Sequence, residues 1–273
     1  MGDTPGFDPD LYQGTADYYD RFRLPYPDAM IDDLAHRTAP ADPGPARLID
    51  LACGTGQLAF PLHRHFADVL AVDAEPDMTA AVRAKAAALK ADGITAVTSG
   101  AEALDVDPGS VDLVVIGNAF HRLDRALVAA RIHSWLRPGG YLALCWSTSP
   151  WAGDAAWQRD LDALIGTWKD TLGATSRVPA GWHDTRETDP DHALLARAGF
   201  QPAGRHDFPT EHQWTVAELA GHIRSTSFLP PAVLADRSPD FDAALAAALE
   251  RHTTDGRLAE TVGFTYELVS RPA

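Results

Sequence analysis

Between residues 47 and 146 the chain alternates short apolar runs with longer amphipathic stretches. Leu48-Ile49-Asp50-Leu51, Val69-Leu70-Ala71-Val72-Asp73, Thr95-Ala96-Val97, Val111-Asp112-Leu113-Val114-Val115-Ile116-Gly117 and Tyr141-Leu142-Ala143-Leu144-Cys145-Trp146 each have the length and content of a strand. The nearly continuous apolar run of the fourth marks a strand buried on both faces. Between them, residues 75–89 and 125–135 read as helices, the first Ala-rich with Met78 and Val82 on one side. Strand and helix in alternation predict a parallel sheet covered by helices on both faces.

The flanks differ in texture. Upstream, residues 11–23 carry Tyr12, Tyr18, Tyr19 and Phe22 beside Arg21 and Arg23. That pattern suits an amphipathic helix, or a cover that offers Arg23 to a carboxylate and a Tyr hydroxyl to a polar edge. A helix over 28–37 and a Pro/Ala/Gly linker over 38–45 lead into the first strand. Downstream, Trp151, Trp157, Trp168 and Trp182 crowd into one insert with a helix at about 154–172. A helix at 191–198, a sixth strand over 200–208, helical stretches over 214–227 and 231–252, and a last strand over 261–269 complete the chain. The expected division is a cover segment at 1–27, a core at 28–150, and a lid insert at 151–188. Residues 189–273 end the sheet and carry a helical lid insertion at about 214–255.

Chemistry concentrates where the first strand ends. Ala52-Cys53-Gly54-Thr55-Gly56 is a small, flexible turn, and Gln57 onward opens a helix. Strand, glycine turn and helix N-terminus form a cradle for a polar or anionic ligand. A dinucleotide site has nearly the same turn. Asp50, however, sits just before the glycines, where it would repel a pyrophosphate and welcome an ammonium. Asp73 ends the second apolar strand, placed to accept hydrogen bonds from a ribose diol.

Asp50-Leu51-Ala52-Cys53-Gly54-Thr55-Gly56, Asp73, Gly100-Ala101-Glu102 and Leu136-Arg137-Pro138-Gly139-Gly140 resemble, in order, the successive motifs of class I S-adenosylmethionine-dependent methyltransferases. Ala52 stands where many members carry glycine. Arg23-Leu24-Pro25-Tyr26-Pro27 is similar to the start of the trans-aconitate-methyltransferase-like branch. The resemblance implies a Rossmann-like α/β fold: a seven-stranded, mainly parallel sheet with an antiparallel last strand, plus a mostly helical lid. It implies S-adenosyl-L-methionine held by Tyr19, Arg23, Asp50, Ala52, Cys53, Gly54, Gly56, Asp73, Ala74, Met78, Ala101, Glu102, Asn118 and Ala119. Glu102 can equally be a charge at a helix start.

The fourth strand delivers Asn118-Ala119-Phe120-His121-Arg122 to the carboxyl edge, where open α/β sheets bind ligands. His121 there is the candidate general base, its reference pKa near working pH. Packing under a lid, or capping a helix, is the alternative. Tyr18, Phe120, His121, Trp146, Trp151 and Trp182 are the candidate walls of an acceptor site. Tryptophans also simply fill space.

Composition narrows the partners. A net charge of −15 over 273 residues disfavours nucleic acid and anionic membrane surfaces. The two cysteines build no disulfide framework, which fits reduced cytoplasm. The acidic, Pro/Gly-bearing start does not read as a signal peptide, and no apolar run reaches membrane-spanning length. Eleven histidines lack metal-site spacing, so no metal is expected. Neither a Ser/His/Asp set nor a phosphate-loop lysine is present. The expected activity is methyl transfer to a small molecule in biosynthetic or secondary metabolism. The alternatives are a non-methylating reaction, such as a cyclisation, on the same cofactor-binding scaffold, and an NAD(P)-dependent dehydrogenase. Oligomeric state is not legible.

Overall fold

Seven strands form one sheet in the order β3-β2-β1-β4-β5-β7-β6. The computed structural model of the chain describes residues 11–39, 45–177 and 187–273. β1 (Arg47–Leu51), β2 (Asp68–Asp73), β3 (Ile94–Thr98), β4 (Val111–Gly117) and β5 (Leu136–Ser147) run parallel. β7 (Leu258–Ser270) is antiparallel to β5 and to the edge strand β6 (Gln201–Trp214). The expected mainly parallel sheet with an antiparallel last strand is therefore present. Strand order reverses between β1 and β4, which opens a crevice at their carboxyl ends.

Alternation sorts the core onto two faces. Leu48, Leu113, Val115, Ala143 and Cys145 join one apolar cluster with Met30, Ile31 and Leu34 of α2 (Asp28–Thr38) and Val82 of α4 (Pro76–Leu89). Ile49, Leu51, Val114, Ile116, Leu142 and Leu144 join the other. Val128, Ile132 and Trp135 of α5 (Arg125–Trp135) cover that face with Leu194 and Leu195 of the helix Asp191–Arg197. The period of two along each strand assigns successive residues to opposite faces.

A third cluster gathers the helices expected to form the lid. Trp157, Leu161, Ile165 and Trp168 of α6 (Ala156–Thr171) pack with Leu219 and Ile223 of the helix Val216–Arg224 and with Phe241, Leu245 and Leu249 of the helix Ser238–Leu249. The first of these two helices opens on a capping box. Thr215 Oγ1 accepts the Glu218 N–H at 3.1 Å, and Glu218 Oε2 accepts the Thr215 N–H at 2.7 Å.

Some boundaries move. The sixth strand runs to Trp214, six residues past its expected end, and the helix expected over 214–227 is shorter, Val216–Arg224. Its polar sequence hides it, because pairing with β7 from Gln201↔Ser270 to Trp214↔Leu258 needs no buried second face. Pro209 is tolerated because β6 is an edge strand. The helix expected over 11–23 shrinks to α1, Ala16–Phe22. The stretch 231–252 breaks at Ala235, whose φ is +45°. The turn helix α3 spans only Ala59–Leu62. No helix among the described residues is long and apolar enough to cross a membrane.

Candidate functional site

The ends of β1 and β4 form the floor of a pocket. It is lined by Asp50, Ala52 and Cys53 from the glycine turn, by Gly117 and Asn118 after β4, and by Ser147 and Thr148 after β5. Tyr19 and Arg23 of the cover, with Tyr26, close one side. Trp214 and His222 of the lid close another.

The turn is held in a conformation that side chains resist. Ala52, Gly54 and Gly56 have φ values of +57°, +54° and +84°, and Asn118 across the pocket has +53°. Two non-glycine residues in the left-handed region at one pocket are the kind of strain that marks a functional site. Ala52 thus holds a backbone form that glycine adopts freely. A Cβ on Gly54 would sit 3.0 Å from the Tyr19 ring, and one on Gly56 would sit 2.7 Å from Phe60. Both glycines are required sterically.

Two carboxylates anchor the turn. Asp73 Oδ2 accepts the Gly54 N–H at 2.8 Å, and Oδ1 accepts the Glu75 N–H at 2.9 Å. Asp50, only 1% exposed, accepts the Ala59 N–H at 2.8 Å and so caps α3. Burial pushes its carboxyl up to about 7, and the neighbouring Asp73 charge adds to the shift. Burial also raises Asp73 and drives the Cys53 thiol well up, so Cys53 is a neutral wall.

Cover and lid are tied together above this floor. Arg23 stacks over the Tyr19 ring, 4.9 Å from its centroid, while its Nε donates to Ser225 Oγ at 2.8 Å. The Nδ1 of His222 lies 3.1 Å from the Phe22 carbonyl. A carbonyl only accepts, so Nδ1 carries the proton. Burial first, and the Arg23 charge second, lower the His222 imidazolium to about 3. Neither His222 nor Ser225 lies in a recognisable motif, and sequence reading missed both.

The structure gathers Tyr19, Arg23, Asp50, Ala52, Cys53 and Asn118 around one pocket, with Gly54 and Asp73 joined beneath it. Ala74 is exposed beyond β2, while Met78 and Ala101 are buried nearby. Glu102 accepts the Asp124 N–H at 3.0 Å and so supports the entry to α5. Ala119, Phe120, His121 and Trp146 line a second hollow, which shares only Asn118 and Ser147 with the first. There the Nε2 of His121 takes a hydrogen bond from Arg122 Nε at 3.2 Å.

The expected aromatic wall is largely displaced. Tyr18 faces a surface groove with Phe22, Val216 and Leu245, because the cover turns that side toward the lid helices. Trp151 backs onto His222 and Phe228, with ring centroids 5.8 and 5.4 Å away. Trp157 and Trp168 fill the lid core, and Trp214 is the tryptophan that lines the pocket. Trp182 lies outside the described residues. Among the described residues, no group of three or more His, Cys, Asp or Glu is placed to hold a metal.

A family pattern for a methyltransferase domain matches residues 48–140. An uncharacterized methyltransferase of Mycobacterium tuberculosis is 35% identical over 161 residues, covering 59% of this chain and 61% of the relative. The match thus spans about three-fifths of that relative's length. A demethylmenaquinone methyltransferase of Thermus thermophilus is 30% identical over 165 residues, or 57% of this chain and 74% of the relative. In structure, a type II methyltransferase fold from Anaeromyxobacter dehalogenans superposes with a TM-score of 0.62 at 21% identity, over 92% of this chain and 98% of that one. Its likeness shows the fold, and the sequence matches carry the rest: the chain belongs to the class I S-adenosylmethionine-dependent methyltransferases.

Proposed function

We propose that the protein transfers a methyl group from S-adenosyl-L-methionine to a small molecule bound between floor, cover and lid. The observation that carries this is a pocket lined by Asp50 and closed by Arg23 and His222, with a second strand-end carboxylate, Asp73, bonded to Gly54 of the same glycine turn. The donor set fits the cofactor. Asp73 spends three of about four lone-pair sites on the backbone N–H groups of Gly54, Glu75 and Ala74, leaving one for a ribose diol. The buried Asp50 suits an ammonium, and the Arg23 guanidinium suits a carboxylate.

When bound, the sulfonium supplies an electrophilic methyl without help from the protein. What this chain contributes is placement, dehydration and a path for a proton. Cys53, Leu58 and Val262 keep the pocket walls dry. Asn118 accepts the Ser147 N–H at 3.4 Å and donates to Tyr26 Oη at 3.4 Å, so the β4 and β5 ends keep a fixed spacing. The net charge of −15 supports a small acceptor over a nucleic acid. A role in biosynthetic metabolism within the cytoplasm accords with this reading.

The test is incubation of a metabolite extract with the protein and methyl-labelled cofactor, followed by mass spectrometry. A labelled small-molecule product is expected. Product formed without label would move the reading to a cyclase-like reaction, and tight NAD binding would move it to a dehydrogenase.

A further inference from the structure

The lid side of the pocket carries one polar atom that the cofactor reading leaves without a task. His222 is 6% exposed, yet it lines the pocket, where the apolar Trp214, Pro150, Leu24 and Val262 stand with Arg23, Ser147 and Thr148. Its Nδ1 proton is committed to the Phe22 carbonyl. Tautomerism then leaves a lone pair on Nε2, and the ring's hydrogen bond among the described residues is the one at Nδ1. Trp214 and Trp151 hold the ring edge-on, with centroids 5.3 and 5.8 Å away, so it cannot swing out of line. Phe22 and His222 are 200 residues apart in the chain, and the cover must be docked for the tautomer to be set.

We propose that His222 Nε2 receives the proton of the acceptor, so that the pocket takes a small, flat, apolar molecule through one hydroxyl group and methylates that oxygen. This deepens the methyl-transfer reading and rests on it. The acceptor oxygen attacks the sulfonium methyl, a C–O bond forms, and the C–S pair leaves on sulfur. The hydroxyl proton passes to Nε2. A protonated ether-type oxygen is a far stronger acid than any imidazolium, so even the weakly basic His222 takes that proton downhill. An amine is the poorer fit, because as an ammonium it would approach Arg23, which faces His222. Flatness and low polarity follow from the Trp214 ring and the apolar residues beside it.

The experiment is long-range ¹⁵N–¹H NMR of histidine-labelled protein saturated with S-adenosylhomocysteine, with phenol and anisole as matched probes and His222→Gln to assign the signal. Without probe, Nδ1 should appear protonated and Nε2 unprotonated. Phenol should move Nε2 upfield by several ppm, and anisole, which has no proton to give, should not. A protonated Nε2, or equal responses to the two probes, overturns the inference while leaving methyl transfer intact. Failure of S-adenosylhomocysteine to bind overturns both. Calorimetry on His222→Asn, whose amide can still donate to Phe22, should return an S-adenosylhomocysteine Kd within threefold of the parent. A tenfold loss would assign His222 to the cofactor and not to the acceptor.

Discussion

The ring of Phe22 lies against the bare Cα of Gly221, so closely that a Cβ there would fall 2.4 Å from the ring. The cover and the lid meet at this point, beside the Phe22 carbonyl that fixes His222 and near the Arg23–Ser225 bond. Gly221→Ala gains about 1 kcal/mol of helix propensity but overpacks a tight contact, which costs about 1–3 kcal/mol. The variant should lose turnover at least tenfold and become protease-sensitive near residue 23. In a Phe22→Ala background the same change should be neutral or stabilising. Thermal melts showing equal effects in both backgrounds would remove the contact from the account.

Asp73 binds the turn through Gly54, and the proposed function has its remaining lone pair take a ribose. Losing such a charged acceptor costs about 1.5–3 kcal/mol. Asp73→Ala should therefore weaken S-adenosylhomocysteine roughly 10- to 100-fold. Calorimetry that finds the parental Kd would contradict the assignment.

Ala52 sits at φ +57°. A left-handed conformation costs a residue with a Cβ about 1–2 kcal/mol, whereas glycine loses about 0.5–1 kcal/mol to extra chain entropy. Ala52→Gly should then be neutral to mildly stabilising, and should raise the melting temperature by a few degrees at most. A clear fall in melting temperature would mean that the Ala52 methyl packs usefully against the pocket.

How far the sequence was legible follows from where each residue gets its constraint. Asp50, Gly54, Gly56 and Asp73 were readable because strand ends and the turn between them are local, and parallel pairing such as Leu51↔Val72 sets them side by side. β1, β2, β4 and β5 were readable as largely buried apolar runs, and the edge strand β3 from its short β-branched run. β6 past Phe208 was not, since its strand character comes from pairing with β7, more than forty residues away. His222 was invisible because its role depends on a carbonyl 200 residues upstream. His121 drew attention by its position after β4, but its ring lies in the adjoining hollow beside Arg122. Tryptophan density falls mainly on the helical cluster outside the sheet, while Trp214 lines the pocket beside Asp50. Trp157 and Trp168 satisfy the lid core, a demand that local sequence does not distinguish from ligand binding.

If Asp50 holds the cofactor's ammonium as proposed, it links binding to pH. Its folded carboxyl is raised to about 7 from the ordinary carboxylate value, so below that pH the folded protein holds a proton that the unfolded chain gives up. Stability from this group is therefore present at low pH and is lost as pH rises from about 4 to about 7. A bound ammonium reverses the preference, because it favours the ionised carboxylate. Binding S-adenosylhomocysteine at pH 6 should expel close to one proton, and the apparent affinity should rise with pH up to about 7 and then level. Isothermal titration in two buffers of different ionisation enthalpy measures the proton directly. Asp50→Asn should abolish the release and weaken binding at pH 8 more than at pH 5.5. Zero proton exchange by the parent at pH 6 would show that the ammonium is held elsewhere, and would leave Asp50 as a cap for Ala59 alone.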